Sequence, residues 1–357
     1  MTAFPAPEQS SFMRGSTQQE NQDSPPRALG IDIGGTKCAV TLGCLLDGGS
    51  SNERLDIEWK ASLTTADFTG PTACLEGLAG LIDRALEDKG LSIQAIGSIG
   101  ISCGGPLDCK KGLILSPPNL PGWDEVPVSG FFKERFGIEA LLQNDANACA
   151  LAEWRYGAGR GLSDLVFLTF GTGLGAGIIA GGHLIEGRSS MAGEVGHIRL
   201  ADFGPVGYGK SGSFEGFCSG GGIAQLARSL ALEGIQAGKP WAFCPSTDNL
   251  AGIDAKSVAV AARAGDEGAK SVFAVSGRFL GKGLSVLVDI LNPEAIIIGG
   301  IFMRCADLLF PSMEMAMSAE CLGLSRKACV VLSAGLGEEV GDYAALAVAF
   351  DHTGKEL

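Results

Sequence analysis

No Cys-x-x-Cys pair occurs in the chain, and its eleven cysteines form an odd set, several of them inside apolar runs such as those around Cys38 and Cys149. That reads as reduced, buried thiol in a cytoplasmic protein. Positive charge is scarce: 27 Lys and Arg, scattered along the chain, face 40 Asp and Glu, for a net charge of −13 and a pI near 4.8. A phosphate backbone would be repelled, so no nucleic-acid partner is expected. Long apolar runs are missing too. The one charge-free stretch, 165–182, LVFLTFGTGLGAGIIAGG, holds six glycines between short β-branched and aromatic blocks. It suits two strands and a turn better than a membrane helix. Residues 1–26 have neither the basic start nor the apolar core of a signal peptide and read as a disordered tail.

What remains can fold. Of 357 residues, 46% are hydrophobic and 19% charged, enough for a large core, and the length exceeds what one core usually spans. Two lobes with a cleft between them are expected. Apolar alternation predicts strands at 29–33 and 38–42, with Leu45 and Leu46 extending the second, and at 95–102, 139–142, 164–170, 176–180, 295–298 and 329–332. Helical spacing predicts helices at 72–88, 128–136, from QNDANACALAEW onward, and at 214–232, 269–291, 306–320 and 338–350. Both halves open on an apolar hairpin tipped by Gly and Thr, which suggests a duplicated architecture. Hairpins join antiparallel strands, so the class is α/β with mixed sheets, not a purely parallel doubly wound fold.

The hairpin tip at 34–37, GGTK, has the composition of a phosphate cradle but not the order of a Walker loop, and a strand follows it where a helix should. Glycines there would let backbone N–H groups approach a phosphate without a Cβ between them. Asp32 stands just before the tip, where it could hold Mg²⁺ through water, and Thr36 and Lys37 add a hydroxyl and a positive charge. Taken alone, the segment fits an ordinary glycine hairpin equally well. Asn144-Asp145, taken alone, fits a helix cap. Other chemistries lack a site: no GxSxG marks a strand-to-helix turn, and no GxGxxG stands in a βαβ context.

Seven motifs in order resemble the ROK family of sugar kinases and sugar-responsive repressors, within the actin-like, ribonuclease H-like ATPases: GIDIGGTK at 30–37, GISCGGPLD at 100–108, NLPGW at 119–123, QNDANACALAEW at 143–154, FGTGLGAGII at 170–179, GEVGHI at 193–198 and IIIGG at 296–300. The resemblance implies a two-lobed fold with an interlobe cleft. Its N-terminal lobe would span 27–143 and its C-terminal lobe 144–337, with residues 338–357 packing back on the first lobe. It implies an ATP- and Mg²⁺-dependent kinase acting on glucose or a similar hexose, or on an N-acetylhexosamine, at the 6-hydroxyl, with Asp145 as general base. Asn119, Asn144, Glu194, His197, Glu215 and Gly105 would meet the sugar. Asp32, Gly34, Gly35, Thr36, Lys37, Thr172, Gly173, Gly299 and Gly300 would meet ATP, although Gly299-Gly300 also suits a plain strand-to-helix turn. Such chains are often homodimers. The family's repressors add a helix-turn-helix ahead of the ATPase fold, for which 26 residues are too few; a non-catalytic sugar sensor is the other alternative.

One departure is plain. Many members carry CxCGxxGCxE after the motif histidine, three thiolates that bind zinc together with it. Counting back from Glu215, those positions hold Val206, Tyr208 and Ser213. No structural zinc is expected, and packing of Phe203, Tyr208 and Phe214 is expected to hold the 199–214 loop instead.

Overall fold

The computed structural model describes residues 25–46 and 53–352; residues 1–24 of the expected tail, and 353–357, lie outside it. The first lobe is a five-stranded mixed sheet. β1 (Arg27–Ile33) and β2 (Lys37–Leu46) form the expected antiparallel hairpin, and β3 (Arg54–Thr64) adds to its outer edge. After α1 (Gly70–Lys89), β4 (Ile96–Cys103) lies parallel to β1. A small hairpin, β5 (Leu107–Asp108) and β6 (Leu113–Ile114), and α2 (Val128–Phe136) precede β7 (Ala140–Asn144), parallel to β4. β3 was not anticipated. Its alternation, Leu55, Ile57, Trp59, Ala61, Leu63, was the signal, muted because an edge strand is only partly buried.

α3 (Asp145–Tyr156) leads into the second lobe, which repeats the plan. β8 (Leu165–Phe170), β9 (Leu174–Ala180) and β10 (His183–Leu184) are antiparallel neighbours, and β10 is followed by a hairpin of β11 (Val206–Gly207) and β12 (Lys210–Ser211). Helices α4 (Phe214–Phe217), α5 (Gly220–Gln236), α6 (Ala255–Arg263) and α7 (Glu267–Leu291) come before β13 (Ala295–Ile298), α8 (Ile301–Glu320), α9 (Gly323–Ala328), β14 (Val330–Ser333) and α10 (Val340–His352). The strand orders, β3-β2-β1-β4-β7 and β10-β9-β8-β13-β14, are the same topology twice. The charge-free stretch is β8, its turn and β9, as the glycine blocks predicted.

Three expectations need correction. The single helix at 214–232 is two, because Ser219 accepts a hydrogen bond from the Gly222 N–H (3.0 Å) and starts a new helix on three glycines. α6 was missed although Asp254 and Ser257 form a capping box at its start. In the 199–214 loop Phe214 is fully buried, whereas Phe203 and Tyr208 are 87% and 66% exposed. Hydrogen bonds hold this loop: Gln225 both donates to and accepts from the backbone of Val206 (2.9 Å each), Arg199 donates to Ser211 O, and Ser211 Oγ donates to Gly204 O.

Each lobe has its own core. Leu29, Val40, Leu78, Ile99 and Phe132 centre the first, and Phe170, Phe214, Phe273, Leu280 and Leu284 the second. α7 is the one helix among the described residues long and apolar enough to cross a membrane, and it is the spine of that second core. A third cluster joins the lobes: Leu151 of α3, Phe167, Ile297 and Val348 of α10. α10 crosses the β1–β4 face where Gly30 and Gly100 leave no side chain. A β-carbon at Gly100 would collide with Ala345 O and stand 2.6 Å from Ala349 N. Ser98 Oγ donates to Ala349 O (3.0 Å) across the same contact. Gly100→Ala is therefore expected to lower the melting temperature by roughly 4–10 °C, the cost of overpacking a domain this large. Gly97→Ala, whose new methyl would lie 3.6 Å from Arg27 O, should change it little; equal effects in thermal unfolding would refute the close-approach argument.

Candidate active site

The parallel register of three adjacent strands builds the floor of the interlobe cleft. Asp32 pairs with Ser102, and Cys103 with Asn144, so the carboxyl ends of β1, β4 and β7 bring Asp32, Gly104 and Asn144-Asp145 to one rim. At about 4.8 Å per strand, Asp32 and Asp145 stand on the order of 10 Å apart along it. Asn144 Oδ1 caps α3, accepting from Ala146 N (3.0 Å) and Asn147 N (3.4 Å). The capping alternative thus holds for Asn144, and it leaves the side-chain amide nitrogen facing Gly105. Asp145 Oδ1 accepts from Ala146 N (2.8 Å), and its second oxygen faces Gly104 and the Asn119 amide.

A cavity of about 620 Å³ opens over this rim. Asn119, Asn144, Asp145 and Gly105 line it from the first lobe and α3; Thr172, Gly173, Glu194, His197 and Glu215 line it from the second. Gly193 passes over β9 at φ +94°, its carbonyl accepting from Ala176 N (2.9 Å), where a side chain would strike Ala176 O. This fixes where Glu194 and His197 enter the cleft. Glu215 Oε2 accepts from Leu174 N (3.0 Å) and lies against Gly173, so it braces the second glycine turn as well as facing the cavity. Tyr208 also lines the cavity, a residue the sequence reading gave only a packing role.

Asp32, Gly34, Gly35, Thr36 and Lys37 lie outside that cavity's lining, as do Gly299 and Gly300. The 34–37 turn is closed by Gly34 N donating to Lys37 O (3.2 Å), and Thr65 Oγ donates to Gly34 O (2.7 Å). At Gly35 a side chain would collide with the Asn119 carbonyl, which ties this turn to the cavity wall. Lys37 is exposed and has no carboxylate partner among the described residues. In the second lobe, Gly171 O accepts from Gly220 N (2.8 Å) at the start of α5, while Gly300, at φ +66°, presses on Phe170 O at the start of α8. Two helix N-termini thus meet beside one glycine turn, a geometry suited to anions. The Ser219–Gly222 segment was missed as part of it; a capping serine before three glycines was the signal.

The floor is strongly acidic. Burial first, then the charge of Asp145, pushes the Asp32 carboxyl up from 3.8 to about 7. Burial likewise raises Asp145, against the pull of the Ala146 N–H, and raises Glu194, which also feels Asp145. Crowded carboxylates of this kind favour a cation. No group of three His, Cys, Asp or Glu suited to a metal occurs among the described residues. Mg²⁺ does not require one, since it keeps several waters and takes one or two carboxylates together with phosphate oxygens. Asp32 fits that role.

The ROK family model matches residues 28–351. A glucokinase of Halalkalibacterium halodurans is 31% identical over 315 residues, covering 88% of this chain and 92% of the relative. An N-acetylmannosamine kinase of Escherichia fergusonii is 32% identical over 273 residues, covering 76% and 82%. Among solved structures, a ROK family glucokinase from Streptomyces griseus in complex with glucose and AMPPNP aligns with a TM-score of 0.70 at 30% identity, over 91% of this chain and 99% of that one.

Because folding raises the pKa of Asp32, it favours the protonated form; its contribution to stability is greatest below pH 4 and is lost as pH rises toward 7. Asp32→Asn should therefore stabilise the nucleotide-free protein at pH 8, by on the order of 1–4 kcal/mol, and the gain should vanish near pH 4. Denaturant unfolding at both pH values checks this, and an Asn variant no more stable at pH 8 would contradict it.

Proposed function

The chain belongs to the ROK family and is an ATP-dependent sugar kinase; within that activity we propose transfer of the γ-phosphoryl group of ATP to the 6-hydroxyl of glucose or a similar hexose, or of an N-acetylhexosamine, with Asp145 as general base. The observation that carries the assignment is the second Asp145 oxygen, which lies beside Gly104 and Asn119 in the wall of the cavity. A sugar hydroxyl placed there forms its new bond to the γ-phosphorus as the bond to the ADP oxygen breaks, and its proton passes to Asp145. Phosphoryl transfer of this kind needs little from the protein beyond alignment and charge neutralisation.

The remaining side chains divide the work. Asn119, the Asn144 amide nitrogen, Glu194, His197 and Glu215 would hold the sugar through its other hydroxyls, carboxylates accepting and amide or imidazole groups donating. Gly105 shapes the loop beside it. Gly34, Gly35, Thr36, Lys37, Thr172 and Gly173 would receive the phosphates, and Gly299 and Gly300 would let adenosine lie against backbone. Asp32 would hold Mg²⁺ through water; when bound, the ion supplies positive charge to the phosphates. With no thiolate at 206, 208 or 213, structural zinc has no part in the proposal, and one equivalent of tightly bound zinc in the purified protein would count against it. The cytoplasm, where ATP is available, is the proposed compartment.

An ADP-release panel of glucose, mannose, fructose, N-acetylglucosamine and N-acetylmannosamine should show at least one sugar stimulating turnover. On that sugar, Asp145→Asn should cost roughly 10²- to 10⁴-fold in kcat with little change in KM. Because burial raises the Asp145 pKa, the acid limb of the wild-type kcat profile should sit above the ordinary aspartate range. Turnover by Asp145→Asn within tenfold of wild type would remove the general-base assignment.

A further inference from the structure

Where many family members place zinc-binding cysteines, this chain builds a different support. Tyr208 and Gly209 form the two-residue tip of the β11–β12 hairpin, at φ +44° and +74°. Such a turn favours Asn-Gly; a bulky aromatic at positive φ is an outlier. The residue is 66% exposed, so no core demands it. The ring instead lines the cleft and stands edge-on to the His197 imidazole, with centroids 5.8 Å apart at 77°. Among the described residues that imidazole makes no other ring contact and no hydrogen bond. From the same hairpin, Lys210 Nζ donates to the His197 carbonyl (2.6 Å). The hairpin itself is clamped by Gln225 and by Gly207, where a side chain would stand 2.6 Å from Gly216 N and 2.8 Å from Glu215 Cβ.

We propose that Tyr208 is a positioning and specificity residue of the sugar site: its ring holds the His197 imidazole in the orientation that a metal would otherwise impose, and offers an apolar face to the C–H side of a bound pyranose. The strain of a left-handed tyrosine is retained because function uses the ring. This rests on the sugar-kinase reading and adds a residue to it.

The test compares Tyr208→Ala, Tyr208→Phe and Tyr208→Asn using the best sugar from the panel. Loss of one aromatic contact predicts a rise in sugar KM of roughly three- to tenfold for Ala and Asn, with kcat within about twofold and the KM for ATP unchanged. Phe, which keeps the ring, should stay within about twofold of wild type. Asn, at ease at positive φ, should melt no lower than wild type while showing the raised KM, which separates the site role from a merely structural one. An unchanged sugar KM in Ala and Asn, or a Phe variant as impaired as Ala, would overturn the proposal. Proton NMR supplies a readout free of catalysis: the His197 Hε1 resonance, identified by its loss in His197→Asn, should move in Tyr208→Ala and not in Tyr208→Phe. If no sugar is turned over, the kinase reading fails while this resonance still decides whether the ring contact exists.

Discussion

Parallel register is the constraint on which the rest depends. β1, β4 and β7 run side by side in one direction, so their last residues share a rim. What each strand carries at its end, a carboxylate on β1, a glycine loop after β4 and Asn-Asp after β7, therefore meets in space although some 110 positions of sequence separate the first from the last. The rim collects negative charge in a partly dry cleft, and the protein meets that cost in two ways. Backbone N–H groups hold Asp145 and Glu215, whereas Asp32 has chiefly the Ser102 side chain and is held toward its protonated form by burial. The glycine turns, the helix N-termini beside Gly171 and the exposed Lys37, which carry no buried carboxylate of their own, are the complement to this acidic floor.

Much of this was legible in the sequence, for identifiable reasons. Strong apolar periodicity over short spans placed α2 and β13 to the residue, and repetition of a glycine-tipped hairpin anticipated the doubled sheet. Less was legible where two signals competed. The apolar stretch after Phe214 read as one helix because hydrophobic spacing continues through it, while Ser219 quietly restarts the chain with a cap. β3 alternates, but its outward face is charged and its inward face only half covered. Phe203 and Tyr208 were read by hydrophobicity as packing residues. No periodicity distinguishes an aromatic that seals a core from one that stands at a cleft, and the local clue lay in the turn chemistry of Tyr-Gly.

The 199–214 segment shows how a loop with no thiolate at 206, 208 or 213 is held by its own hydrogen bonds. Gly209 and Gly212 stand at positive φ, which lets the hairpin and its return to α4 turn tightly. Many weak ties hold it, including the paired Gln225 hydrogen bonds and the bridge from Arg199 to Ser213. A metal site fails at once when its ion is removed. A network of this kind loosens by degrees, and it frees the tip residue to be chosen for contact with ligand.

α10 ties the two ends of the fold together. Its alanines cover Gly30 and Gly100, in the first strands made, but they lie within the last twenty residues of the chain. In folding, the glycine-lined face of the first sheet can close only when α10, some 245 to 315 positions further along the chain than Gly100 and Gly30, docks on it. The first sheet thus depends on a distant helix for its cover, and loss of α10 would unseat the first lobe although it leaves every strand of that sheet in place.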